Sequence, residues 1–382
     1  MARANHRAAR CPGEAVTLVA AAGIDTFPAI FGGLPVSDRE RPGSMADIPL
    51  VGESSVGVPS DSDAFDPEPS QKVVLLGDNC VIAWAGSVDV ARETIRDLQA
   101  IASKEPLSMP MIDACFSKLG PRVKDEVSFV GWVKEQDVFH QFWYRADIAE
   151  GAMFGRISAA GSGSTDFVKH AAQISGGTLN ILGGAPAALV RAISSMLSAT
   201  SLLTQAQLSS QKDPLPAICG GYEIATYVGD KFAKLGDIAW VFWTADVDQG
   251  QIELGGPRLV LKQDYAGETL LLRELRIQSS GTSADAPVAK ETRRVIPPFG
   301  RAHDAAGSSD ISWPGLEAAF TCHVVVVRSV KTRAIVSRIE FSPSRTPSSI
   351  RFRSDEGGAG FDAGEAFRDE LRETIRGGLA DL

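Results

Sequence analysis

Lys72-Val-Val-Leu-Leu-Gly-Asp-Asn-Cys-Val-Ile-Ala-Trp-Ala-Gly-Ser-Val-Asp-Val-Ala-Arg-Glu-Thr-Ile95 combines a strand pair, a tight turn and the start of a helix. Two apolar runs flank a Gly77-Asp78-Asn79 turn, which predicts a hairpin of strands 73–76 and 80–84. A corner of small residues, Ala85-Gly86-Ser87, follows. Val88, Ala91, Ile95 and Leu98 then recur at helical spacing, with Ser87 as N-cap and Asp89 in the first turn.

Upstream, residues 15–38 read as two strands around a turn near Gly23-Ile24-Asp25. Residues 1–14 read as a disordered lead, and 39–71, rich in Pro, Ser, Gly and Asp, as a long loop. Downstream, 127–133 and 138–144 are aromatic-rich strands. Ile157 to Asp166 leads into a helix with Ser164 as its cap. Leu189, Ile193, Met196, Thr200 and Leu203 mark a longer helix. Asp213 to Gly221 reads as a loop, and Tyr222 to Val228 and Ile238 to Ala245 as strands. The texture changes near 246. Strand pairs 251–262 and 268–277 precede a polar loop, 278–314; 321–342 and 349–353 are strand-like, and a helix from Glu365 to Arg376 ends the pattern. Gly357 to Gly360 reads as flexible punctuation.

The chain has 382 residues, 44% hydrophobic and 22% charged, enough for one large or two medium domains. A net charge of -9 argues against a nucleic-acid or anionic-membrane binder. The five cysteines are scattered, with no Cys-x-x-Cys and no Cys/His cluster, so neither a disulfide framework nor a metal site is indicated. A cytoplasmic protein without cofactor is expected. Arg3, Arg7 and Arg10 ahead of the apolar run Ala15 to Ala22 imitate a secretory leader, but Glu14 abuts that run and the run is short. No run of 18 apolar residues predicts a membrane span. Phosphate-loop, His-Glu-x-x-His and Gly-x-Ser-x-Gly patterns are missing from the sequence. His140 and His323, on strand-like stretches, and the tryptophans at 84, 132, 143, 240 and 243 read as core or face residues.

The strand lysine, the Gly-Asp hairpin and the Ala-Gly-Ser entry to the helix resemble the proteasome β-subunit family of N-terminal-nucleophile (Ntn) hydrolases. The resemblance covers residues 15–245 and implies an α+β fold, a four-layer αββα sandwich, with 246–382 as a β-rich extension of unknown role. It implies that the first hydroxyl of a processed chain attacks an amide, that the free α-amine or a lysine takes its proton, and that a backbone amide holds the oxyanion. Carried onto this sequence, the lysine is Lys72 and the amide is that of Gly86. Asp38 in Val36-Ser-Asp-Arg39 matches the aspartate that orients the lysine. Ser162 in Ala159-Ala-Gly-Ser-Gly-Ser164 matches the family's Gly-Ser-Gly-Ser segment. Asp213, ahead of Cys219-Gly-Gly-Tyr222, matches the family's Arg-Asp segment, with a longer spacer and a cysteine in the hydroxyl's place.

The nucleophile departs most from the family. Strand one starts within Ala15-Val16-Thr17, and Thr17 alone of these carries a hydroxyl. Family processing falls after glycine, whereas Val16 precedes Thr17. Two readings follow: a threonine-type peptidase or amidase that loses residues 1–16, and a non-catalytic scaffold or assembly subunit of the same fold. A secreted β-rich binding protein is a third. The family reading implies a homo-oligomeric ring and a peptide or amide substrate.

Overall fold

The structure, a computed structural model, describes residues 18–24, 27–34, 70–120, 126–151, 154–161, 163–173, 193–200, 203, 222–277, 289–300, 312–329, 333–343, 350–355 and 358–380. Those residues form a mixed α/β protein built mostly from antiparallel sheets.

β1 (Leu18–Ile24) and β2 (Phe27–Gly33) form a hairpin at the centre of a six-stranded sheet. Its order is β10-β9-β2-β1-β8-β7, the others being β7 (Asp147–Gly151), β8 (Gly155–Gly161), β9 (Tyr222–Val228) and β10 (Lys231–Lys234). β3 (Val73–Leu75), β4 (Cys80–Gly86), β5 (Val127–Glu135) and β6 (Val138–Tyr144) make a four-stranded sheet in chain order. The hairpin expected from the Gly-Asp-Asn turn is therefore present as β3 and β4.

β1 and β2 are apolar on both faces, and the two faces meet different partners. Val19, Ala21 and Ile30 pack on Val73, Val81 and Ala83 of the four-stranded sheet. Leu18, Ala20, Ala22 and Phe31 turn the other way. Period-two alternation thus assigns each side chain to one of two cores. β4 does the same: Val81 and Ala83 face the six-stranded sheet, while Cys80, Ile82 and Trp84 meet helices. Those helices are α1 (Val88–Ala102) and α2 (Met109–Ser117). α1 buries Ala91, Ile95 and Leu98, starts after Ser87 and carries Asp89 in its first turn. The opposite face of the six-stranded sheet shares a core with α3 (Ser164–Gln173) and the helical stretch α4 (193–200), through Phe167, Ala171, Met196 and Leu197. Ser164 is itself helical, and its hydroxyl donates to Asp147 at 2.6 Å.

Beyond 237 a second architecture begins. β11 (Ile238–Asp248) lies at the centre of a seven-stranded sheet with β12 (Gln251–Leu254), β13 (Leu259–Ala266), β14 (Thr269–Ile277), β15 (Ala289–Ile296), β16 (Phe320–Ser329) and β17 (Arg333–Phe341). β11 pairs parallel to β16 and antiparallel to β13. Residues 238–245, read with the N-terminal region from sequence, therefore belong to this sheet. Trp240, Leu261 and Leu272 join the core of the six-stranded sheet and its helices. Val241, Trp243 and Val325, on the other face, are covered by Phe367, Leu371 and Ile375 of α5 (Glu365–Ala380), spaced at helical period. β18 (Ile350–Asp355) and β19 (Gly358–Ala363) form a separate ribbon.

β15 occupies part of the stretch expected to be loop. It is an edge strand, and its charged sequence Lys290-Glu-Thr-Arg-Arg294 is what an exposed edge carries. β19 likewise replaces the expected flexible punctuation at Gly358 to Gly360 by pairing with β18. Among the described residues no helix is long and apolar enough to cross a membrane.

Candidate functional site

Lys72 lies just before β3 and is 1% exposed. A lysine this deep needs its main chain anchored and its ammonium provided for. Its carbonyl accepts the Trp84 N–H at 3.3 Å. Its own N–H and that of Val73 (3.0 Å) both donate to Oε2 of Glu223. Glu223 belongs to β9, where it sits opposite Gly32 of β2, which in turn pairs with Val19 of β1. Gly32 is required by close approach: a Cβ there would lie 2.8 Å from the Lys72 Cβ. A single row across the six-stranded sheet, Val19, Gly32 and Glu223, thus forms the floor under Lys72.

The other carboxylate oxygen of Glu223 accepts from Lys234 Nζ at 2.7 Å and from the Tyr265 hydroxyl at 3.2 Å. Glu223, fully buried, therefore receives four donors, which is how a buried carboxylate is tolerated. Lys234 also donates to Gln71 Oε1. The Gln71 amide nitrogen uses both hydrogens on the C-terminal sheet, donating to the carbonyls of Glu268 (2.9 Å) and Ile296 (2.7 Å). The seven-stranded sheet is thus tied directly to the residue before Lys72.

The Lys72 ammonium rests 3.4 Å from the Trp84 ring centroid. Burial pushes this amine down from 10.5 to about 7, with the Glu223 charge pulling partway back. At neutral pH a large share of Lys72 is free base, the form that accepts a proton.

Gly86 ends β4, two residues beyond Trp84, whose N–H bonds to Lys72. Its φ is +102°, and a Cβ there would meet the Glu126 carbonyl oxygen at 2.1 Å. The local backbone demands glycine whatever else that residue does. Thr17, Asp38, Ser162 and Asp213 lie outside the described residues. The described neighbours of two of them, Leu18 after Thr17 and Gly161 before Ser162, are cross-strand partners.

No protein-family model matches this chain, and no curated protein matches it. The functional reading therefore rests on the chemistry of the site.

Sequence reasoning brought out Lys72 and missed its surroundings: Glu223, Lys234, Gln71 and Tyr265. Glu223 left one trace, a carboxylate in step with Ala225 on a strand whose alternate positions face the inter-sheet core. Lys234 and Gln71 left none, because each carries an ordinary surface chemistry in its own segment. Among the described residues no group of three or more His, Cys, Asp or Glu side chains gathers to hold a metal.

Proposed function

We propose that the N-terminal region, from residue 15 to the end of β10, is a proteasome-type Ntn hydrolase, a four-layer αββα sandwich, acting as a threonine-type peptidase or amidase. One observation carries this reading: a buried, near-neutral amine, Lys72, packed on the strand row that begins at Val19, two residues after Thr17. In the proposed reaction, removal of residues 1–16 frees Thr17. Its Oγ attacks the substrate amide carbon while its proton passes to the Lys72 amine. The Gly86 N–H stabilises the tetrahedral oxyanion. Collapse expels the amine with that proton and leaves an ester on Thr17, which water then hydrolyses. Asp38, Ser162 and Asp213 complete the proposed set around the nucleophile. Assembly as a homo-oligomeric ring belongs to the same proposal.

Hydrolysis of peptide-amide reporters tests it. Thr17→Ala and Lys72→Ala should each abolish turnover, since such groups act as a unit. Turnover surviving Thr17→Ala rejects the threonine mechanism.

A second reading is favoured by the depth of Lys72. At 1% exposure, with its main chain held by Glu223, it has a sufficient structural role in a non-catalytic subunit of the same fold. An inert wild type that keeps residues 1–16 supports this reading over the first.

A further inference from the structure

Glu223 links two buried lysines: it accepts from Lys234 Nζ and from the main-chain N–H of Lys72, and its charge acts on the Lys72 amine. The side chains of Lys234 and Glu223 are 7% and 0% exposed, and Lys72 is 1% exposed. If all three were charged, the cluster would hold a surplus positive charge away from water, the costly state for a protein interior. One amine is under pressure to give up its proton, and the geometry distinguishes them. Lys234 Nζ lies 2.7 Å from Glu223 Oε1 and also donates to Gln71. Lys72 Nζ has, among the described residues, the Trp84 face and no carboxylate within ion-pair distance. Glu223 spends its other oxygen on the N–H groups of Lys72 and Val73, not on the Lys72 amine.

Among the described residues, the titratable groups facing this cluster are Glu223 from β9, Lys234 from β10 and Tyr265 from β13, with Asp264 beside Tyr265. Burial, and then the Glu223 charge, raise the Tyr265 phenol well above its ordinary value, so it stays a hydrogen-bond donor. We propose that Lys234 is a positioning residue for Lys72: by holding the buried Glu223 carboxylate it leaves Lys72 a neutral amine, and Tyr265 locks Glu223 in that arrangement from the C-terminal sheet. The direction found for Lys72, lowered by burial, agrees with this division. The consequence for catalysis rests on the reading of Lys72 as proton acceptor, but the division of protons does not. It also gives the C-terminal region a task, since Tyr265 reaches Glu223 from outside the two-sheet sandwich.

The test is a 13Cε NMR titration of the full chain labelled with [ε-13C]lysine, with the Lys72 resonance assigned by its loss in Lys72→Arg. In the wild type the Lys72 midpoint should fall close to 7. Lys234→Met releases Glu223 to Lys72 and should raise the midpoint by at least about one pH unit, a tenfold gain in proton affinity. Lys234→Arg keeps the ion pair and should leave the midpoint within about 0.3 unit. Tyr265→Phe, which removes a single hydroxyl and should fold, lets Glu223 turn and should raise the midpoint by about half a unit. A wild-type midpoint near 10.5, or midpoints unmoved in both Lys234→Met and Tyr265→Phe, overturns the inference. Reporter hydrolysis on the same samples separates the two claims: the expected midpoints in an inert wild type keep this inference and reject the peptidase reading.

Discussion

Gly32 and Glu223 are cross-strand partners, and the missing side chain of the one lets the other reach the main chain of Lys72. A Cβ on Gly32 would meet Lys72 Cβ at 2.8 Å and Val73 Cγ2 at 3.0 Å. Gly32→Ala should therefore push β3 away from the six-stranded sheet, at a cost of about 1–3 kcal/mol in denaturant unfolding. Gly86→Ala should cost more, because it meets rigid backbone and adds a side chain at φ +102°. Equal, negligible losses at both positions would contradict this packing.

Lys72 makes stability depend on pH in a defined window. Its pKa is 10.5 in an ordinary setting and about 7 when folded. Between those values the unfolded chain binds a proton that the folded chain releases, so stability rises with pH. The slope is at most about 1.4 kcal/mol per pH unit. Below the window the ammonium is charged in both states and the burial penalty is fully present. Lys72→Met should flatten this slope, and it should stabilise the protein most at the acid end of the window. Urea unfolding at several pH values reads both effects.

Glu223 meets four donors with its two oxygens. Glu223→Leu strands two backbone N–H groups and the buried Lys234 ammonium. Breaking a buried pair on one side costs about 3–5 kcal/mol, so this variant should be among the least stable of any single change. Glu223→Gln keeps one acceptor oxygen and should lose clearly less. Thermal melts of the pair decide the order.

Gln71 joins the two architectures through the Glu268 and Ile296 carbonyls. Gln71→Leu leaves both without this donor, and about 1–3 kcal/mol should be lost for each buried group left unmet. The loss should be visible as faster hydrogen exchange along β14 and β15, with the amides of β5 and β6 unchanged. Uniform exchange across all sheets would show that the seam is not at Gln71.

The N-terminal elements were legible because each carries its signal locally. β1, β2 and β4 are short unbroken apolar runs buried on both faces, and α1 buries side chains three and four residues apart. β15 was not legible, since an edge strand tolerates charged residues and so mimics a loop. β7 hid for the same reason, being the edge of the six-stranded sheet. Of the site, Lys72 stood out only through the resemblance of its segment to the strand lysine of the proteasome family. Glu223 lies 151 residues away and the Gln71 contacts span 197 and 225 residues, distances over which no periodic pattern reports a contact. That β11 leaves the N-terminal region was hidden too, because a buried central strand reads the same in either sheet.

The proposed unmasking of Thr17 as nucleophile beside Lys72 is read by intact-mass measurement of the purified protein, expressed with residues 1–16 in place. The wild type should yield a processed species that begins at Thr17, and Thr17→Ala should keep the unprocessed mass. A wild type that keeps residues 1–16 under every condition in which it is folded would reject the peptidase and leave a non-catalytic subunit in its place.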